Sequence, residues 1–123
     1  MISMDYWLKV VTKYADFSGR ASRAEYWNFM LFNLIFFFAI SFLDILLGTF
    51  DFEIGRGILG TLYIFATIIP SLSVTIRRLH DVGESGWMHL IVFVPIFGPI
   101  YLLYLLSKKG DPGKNEYGPK PKF

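Results

Sequence analysis

The residues that could do chemistry lie in two short charged groups, each beside a long apolar stretch. Arg20, Arg23 and Glu25 precede the first stretch. The second group follows the next stretch and consists of Arg77, Arg78, His80 and Asp81. Because guanidinium groups bind carboxylates and phosphates through two parallel hydrogen bonds, these residues could pair with one another or bind an anion.

Catalytic and metal-binding chemistry have little support in the sequence. His80 and His89 lack the spacing and the neighbouring ligands of a metal site, and the chain has no cysteine. It contains no G-x-S-x-G elbow, P-loop or H-E-x-x-H motif. We therefore predict that the protein is not an enzyme and that it uses no metal and no cofactor.

The elements that must position the charged groups are hydrophobic helices. The apolar set AVILMFWYC makes up 54% of the chain, and three stretches contain no Asp, Glu, Lys or Arg: 26–43, 57–76 and 86–107. At about 1.5 Å rise per residue, each stretch can cross or nearly cross a hydrocarbon core of about 30 Å. A chain of 123 residues has too little left to cover them, so the sequence predicts an all-α integral membrane protein.

We predict a first span over 25–47 and a second over 57–76. Ser22 and Glu25 have the spacing of a capping box, which marks the start of the first span. Pro70 predicts a kink in the second span, where the hydroxyls of Ser71, Ser73 and Thr75 can satisfy carbonyls.

These two spans bring the charged groups to one membrane face, because one crossing leads out and the next leads back. Ionisable side chains at that depth are costly unless they are paired, hydrated or bound to a headgroup. We expect a mixed charged cluster with one of three roles: an architectural anchor of the helix ends, a site for an anionic lipid headgroup, or a proton- or ion-coupled site through His80 and Asp81.

The third stretch, 86–107, leaves two topologies open. Pro95-Ile96-Phe97-Gly98-Pro99 lies near its middle, so it is either one kinked span or a re-entrant hairpin. Three full spans divide the twelve Lys and Arg residues equally between the two faces. A re-entrant third segment instead leaves Arg56 alone on one face and the other eleven together, which is a strong positive-inside bias.

The two ends of the chain are more polar than its middle. Trp7, Val10 and Tyr14 fall on one face of a predicted helix over 4–16, and the lysines fall on the other. This amphipathic helix either lies at the membrane surface or packs on the chain's own spans. The segment 108–123 is rich in Gly, Pro and Lys and predicts a flexible polar tail.

Three motifs resemble those of a family of small bacterial inner-membrane proteins known as domain of unknown function 805. They are Gly19-Arg20-Ala21-Ser22-Arg23-Ala24-Glu25-Tyr26-Trp27, Arg77-Arg78-Leu79-His80-Asp81-Val82-Gly83-Glu84-Ser85-Gly86-Trp87 and Gly113-Lys114-Asn115-Glu116-Tyr117-Gly118-Pro119. The resemblance implies a multi-pass protein of the bacterial inner membrane. It implies no activity.

We therefore hypothesise a non-enzymatic membrane protein with a structural or regulatory role. Its expected partners are membrane lipids, including anionic headgroups, and other copies of itself in a homo-oligomer; the net charge of +2 does not suggest nucleic acid. The alternative is an oligomeric transporter or channel for ions or small solutes. Its path would be lined by Asn28, Asn33, Ser71, Ser73 and Thr75.

Overall fold

A computed structural model describes residues 2–121 of the chain and is mostly helical. Its helices are α1 (Met4–Thr12), α2 (Arg23–Leu47), α3 (Ile58–Asp81) and α4 (Phe97–Ser107), with a 3-10 helix over Gly86–Phe93. Short antiparallel strands β1 (Phe50–Asp51) and β2 (Arg56–Gly57) join α2 to α3. The prediction of an all-α membrane protein agrees with this architecture.

Helix α2 begins at the predicted cap. The Ser22 hydroxyl oxygen accepts the backbone N–H of Glu25 at 3.1 Å, which satisfies one of the N–H groups left free at a helix start. The helix ends at Gly48, where φ is +76°. Glycine suits that position because side chains disfavour the left-handed conformation.

Helix α3 begins against the far end of α2. The buried Asp44 carboxylate accepts the backbone N–H groups of Leu59 at 3.0 Å and Gly60 at 2.8 Å, and the Thr49 hydroxyl at 2.6 Å. A Cβ on Gly57 would collide with this carboxylate. Asp44 therefore caps α3 from the neighbouring helix and holds the two helices in register at this end.

The proline inside α3 is accommodated by a residue from outside the helix. Pro70 has no N–H, so the carbonyl of Ala66 loses its usual helical donor. The Tyr14 hydroxyl donates to that carbonyl at 2.7 Å. The hydroxyls predicted for this role bond elsewhere in the helix: Ser73 donates to the carbonyl of Pro70 at 3.0 Å and Thr75 to that of Ser71 at 2.7 Å.

Helix α3 also extends beyond the predicted end of the second span at 76 and continues to Asp81. The prediction ended the span where charged residues begin. In the folded chain Arg77, Arg78 and Asp81 each form an ion pair, so they can remain helical and buried, although Nε and Nη2 of Arg77 make no hydrogen bond within the described residues.

Helix α1 packs on α2, as in the second of the two alternatives for this segment. Val10 is fully buried, and Trp7 contacts Phe36 edge to face with ring centroids 5.1 Å apart. The helix ends at Thr12 and not at the predicted 16, because the chain turns where the Asp16 carboxylate accepts the backbone N–H and the hydroxyl of Ser18. These bonds also lower the pKa of Asp16.

The third hydrophobic segment is broken in its middle. After the 3-10 helix the chain makes a tight turn at Ile96, where φ is +68° and the Phe97 N–H donates to the carbonyl of Pro95 at 2.7 Å. Gly98 then lies so close to the carbonyl of Ile91 that a side chain at that position would collide with it. The two halves of the segment therefore fold back on each other.

Both ends of this segment lie beside the same end of α2 and α3. Gly86, at its start, packs against Ile76 of α3. Near its end, the carbonyl of Leu106 accepts the indole N–H of Trp27 at 3.2 Å. Trp27 lies in the first turns of α2 and Ile76 in the last turns of α3, so the segment leaves and returns at one level of the molecule.

Within residues 2–121, α2 and α3 are the two helices long and apolar enough to cross a membrane. Large apolar side chains on both helices point away from the protein: Phe38, Phe42, Leu46, Leu47, Leu62 and Phe65. Exposing such a surface to the acyl chains of a bilayer is favourable, whereas exposing it to water is unfavourable.

Candidate functional site

Asp81 lies at the centre of the charged groups. Arg20 Nε donates to its Oδ1 at 2.9 Å and Arg78 Nη1 donates to its Oδ2 at 2.6 Å. Arg20 and Asp81 are 6% and 4% exposed, and Arg78 is fully buried. One buried carboxylate thus pairs with two buried guanidinium groups, an arrangement we call the Asp81 triad.

The remaining donors of Arg78 connect three parts of the chain. Its Nε donates to the carbonyl of Leu106 at 3.1 Å and its Nη1 to the carbonyl of Ala21 at 3.3 Å. Its Nη2 donates to the carbonyl of Lys108. Through Arg78, the end of α3 holds the start of α2 and the end of α4 at one level.

Arg20 makes the corresponding contacts with the C-terminal segment. Its Nη1 donates to the carbonyls of Gly113 at 2.6 Å and Gly118 at 3.2 Å, and its Nη2 donates to the carbonyl of Asp111 at 2.7 Å. Each guanidinium nitrogen of Arg20 and Arg78 therefore has an acceptor within the protein.

The segment predicted as a flexible tail over 108–123 is folded against this triad as far as residue 118. The Asp111 N–H donates to the carbonyl of Asp81 at 2.7 Å, and the Asn115 side-chain amide donates to the carbonyl of His80 at 2.9 Å. The composition alone favours disorder, but buried guanidinium groups need acceptors, and carbonyls of this segment supply them. Positions 122 and 123 lie outside the described residues.

His80 is held by its backbone and ring contacts. Its Nδ1 lies 2.9 Å from the carbonyl oxygen of Gly19, and since a carbonyl can only accept, Nδ1 carries the proton. Its ring stacks on Tyr117 with centroids 4.0 Å apart and an angle of 2°. His80 thus connects all three sequence motifs at one point.

Glu25 and Arg77 form a second buried group. Arg77 Nη1 donates to Glu25 Oε2 at 2.5 Å, and Lys9 Nζ lies 2.9 Å from the other carboxylate oxygen. Both Glu25 and Arg77 are fully buried. The Glu25 carboxylate therefore pairs with two cations and does not complete the predicted capping box.

The structure gives the seven predicted cluster residues four different placements. Arg20, Arg78 and Asp81 form the triad; Glu25 and Arg77 form the second group, with His80 beside the triad. Arg23 is exposed and makes a single contact of 3.5 Å with the carbonyl of Ser107. It lies at the edge of the cluster and not within it.

Sequence reasoning missed two contributors to the cluster. The amphipathic pattern places Lys9 on the polar face of its helix and gives it no partner, whereas in the structure its ammonium pairs with the buried Glu25. The segment 108–118 was read from its Gly and Pro content alone. The sequence signal that could have predicted a folded segment is the motif from Gly113 to Pro119. A disordered segment does not need a specific motif of Gly, Asn and Tyr.

The Asp81 carboxylate is engaged within the protein, since Oδ1 accepts from Arg20 and Oδ2 accepts from Arg78. Among residues 2–121, no group of three or more His, Asp or Glu side chains is placed to bind a metal ion.

A groove of about 610 Å³ lies between α2, α3 and the third segment, and most of its wall is apolar. Of the five side chains proposed to line a solute path, Asn33, Ser71 and Thr75 line this groove. Asn28 instead accepts the Ser3 N–H at 2.7 Å, and Ser73 is fully buried within its own helix.

Comparison with known proteins adds a family and a location. The sequence model of the family described as Protein of unknown function (DUF805) matches residues 14–119. The chain is 42% identical over 120 residues to inner membrane protein YhaH of Escherichia coli strain K12, covering 98% of each chain. It is also 42% identical, with the same coverage, to inner membrane protein YhaI of that strain. No solved structure matches the chain. These relatives support the predicted location in the bacterial inner membrane.

Proposed function

Because the chain belongs to the DUF805 family of proteins of unknown function, as its three motifs predicted, we propose its function from its own geometry. It is a non-enzymatic protein of the bacterial inner membrane that acts through contacts with lipid and with other membrane proteins. Its charged cluster has the architectural role among the three considered. The cluster fixes two spans, the hairpin and the C-terminal segment at one membrane face.

The observation that carries this proposal is the saturation of the Asp81 triad. Arg20 and Arg78 direct their donors to Asp81 and to carbonyls of three other segments. A substrate-binding site keeps polar groups free for its ligand, whereas an anchor uses them internally. This internal pairing favours the anchor.

We propose a topology with two spans, α2 and α3, and a re-entrant hairpin made of the 3-10 helix and α4. Three features support it: the turn at Ile96, the contacts of Gly86 with α3 and of Leu106 with α2, and the charge distribution. In this topology eleven of the twelve Lys and Arg residues lie on one face and Arg56 lies on the other. The positive-inside rule makes the larger group cytoplasmic.

The transporter remains a rival because three of its proposed lining residues do line the groove. Two of them already have partners, however. Asn33 accepts the Tyr63 hydroxyl at 2.7 Å, and Thr75 donates to its own helix at 2.7 Å. Side chains occupied in this way offer a solute little polar contact, so we prefer the anchor.

The experiment compares Asp81→Asn with Asp5→Asn, an exposed control that loses the same charge. If Asp81 anchors the fold, Asp81→Asn lowers the free energy of unfolding by about 3 kcal/mol, because it leaves two buried arginines short of a counter-charge. The free energy is measured by denaturant titration in detergent, and Asp5→Asn changes it by a few tenths of a kcal/mol at most.

The proposal is contradicted if Asp81→Asn raises the free energy of unfolding. Residues of functional sites often destabilise a protein, so that result would indicate a functional site and not an anchor. The proposal is also contradicted if the wild-type protein in liposomes carries ions or small solutes faster than empty liposomes do, with that flux unchanged in Asp5→Asn.

A further inference from the structure

The groove between α2, α3 and α4 has the length of one lipid leaflet. Tyr26 and Thr75 line it at the level of the charged cluster, and Phe37 and Tyr63 line it at the other end. From Tyr26 to Phe37, α2 rises about 16 Å at 1.5 Å per residue. This is about half of a hydrocarbon core of about 30 Å.

The groove is suited to an apolar occupant. Leu102 and Leu106 form its α4 side, and the polar groups in its wall are largely engaged, as described for Asn33 and Thr75. An acyl chain could fill this space without displacing the hydrogen bonds of Asn33, Thr67 and Thr75, all of which line it.

Three exposed cations adjoin, along the chain, the residues that line the charged end of the groove. Arg23 precedes the lining residue Tyr26 by three positions and so lies on the same face of α2. Lys108 and Lys109 follow the end of α4, close behind the lining residue Leu106. The ion pairs within residues 2–121 involve other cations, namely Lys9, Arg20, Arg77 and Arg78.

We propose that the groove binds one acyl chain of an anionic phospholipid, whose phosphate lies against Arg23, Lys108 and Lys109. The inference rests on the proposed function, because that topology places the groove's charged end in the cytoplasmic headgroup region. It moves the predicted headgroup site away from Arg20 and Arg78, whose donors are used within the protein. Charge complementarity selects an anionic lipid over a zwitterionic one.

The test is native mass spectrometry of the full chain in detergent, titrated with phosphatidylglycerol or phosphatidylcholine of the same acyl chains. Wild-type protein should bind phosphatidylglycerol about tenfold more tightly, from the attraction of several basic residues for an anionic headgroup. The triple variant Arg23→Gln, Lys108→Gln, Lys109→Gln should reduce its affinity to that for phosphatidylcholine.

The matched control is Lys13→Gln, Lys114→Gln, Lys120→Gln, which removes the same charge from exposed positions away from the groove. It should keep the preference for phosphatidylglycerol. If both triple variants lose the preference equally, the attraction is a general surface effect and the proposed site is wrong.

Two further measurements test the groove itself. Thr67→Trp places a bulky side chain in its wall and should weaken binding of both lipids; unchanged binding overturns the proposal. Glycerol 3-phosphate has the headgroup charge without acyl chains, and binding as tight as that of the lipid would identify a free phosphate site instead. A dimer mass that appears without lipid and that Thr67→Trp abolishes would show that a second copy occupies the groove, which would overturn the proposal. None of these results alters the Asp81→Asn outcome, which tests the proposed function separately.

Discussion

At the scale of single residues, the charged cluster follows the rule that buried charges need partners. Asp81 compensates two arginines, and Glu25 compensates Arg77 and Lys9. Each arginine of the triad also satisfies carbonyls from segments far apart in the sequence. A guanidinium can do this because its donors point in several fixed directions, whereas an ammonium is a compact charge.

This difference yields a prediction for Arg20→Lys. A lysine can keep the charge near Asp81 but cannot reach Gly113, Gly118 and Asp111 together. We expect the C-terminal segment to detach, so that trypsin cleaves at Lys114 on the order of a hundredfold faster, because the loss of two charge-assisted bonds costs about 3 kcal/mol. Cleavage is followed by mass spectrometry.

The control for this prediction is Arg56→Lys, an exposed substitution on the opposite side of the molecule. It should leave cleavage at Lys114 unchanged. Equal cleavage rates in Arg20→Lys and the wild type would mean that Arg20 does not hold the segment.

The types of the cluster residues could be predicted from the sequence, but their pairing could not. Arg20 and Arg23 carry the same charge and lie only three positions apart, on either side of the Ser22 cap. Which of the two points inward depends on the orientation of α2 relative to α3, and that is a property of the packed helices. The same limit applies to Lys9, whose partner Glu25 lies on another helix.

At the scale of elements, the long helices were predictable because apolar composition and length determine a span. The 25 residues of α2 include the predicted first span with its cap at Ser22. The topology of the third hydrophobic segment could not be predicted from the sequence, because a proline-containing stretch of this length can form either a span or a hairpin. Its fold depends on contacts with Trp27 and Ile76, which lie on other elements.

The element junction at Asp44 offers a second prediction. Asp44→Ala removes the acceptor for two N–H groups at the start of α3. We expect the free energy of unfolding to fall by about 1 to 3 kcal/mol, the cost of losing a cap and leaving buried donors unpaired. Denaturant titration in detergent measures it.

Asp5→Ala is the matched control, because Asp5 is an exposed acid in the first turn of α1. Its replacement should cost a few tenths of a kcal/mol through the helix dipole alone. A similar small loss for Asp44→Ala would contradict the role of Asp44 as a cap that joins two helices.

At the scale of the whole molecule, the motifs of the family meet at a single level. The first motif supplies Arg20, the second supplies Arg78 and Asp81, and the third supplies the carbonyl of Gly113 and the ring of Tyr117. Motifs separated along the chain can meet only if the third hydrophobic segment returns to the face from which it started. The re-entrant topology is therefore the central claim, and the lipid groove depends on it.

Cysteine labelling tests this topology most directly, because the chain contains no cysteine of its own. Lys13→Cys, Glu53→Cys and Lys114→Cys each introduce one thiol at an exposed position. The variants are treated with a membrane-impermeant maleimide in spheroplasts and in inverted inner-membrane vesicles. We predict that positions 13 and 114 react in inverted vesicles and position 53 reacts in spheroplasts. Reaction of position 114 in spheroplasts, on the side of position 53, would contradict the account.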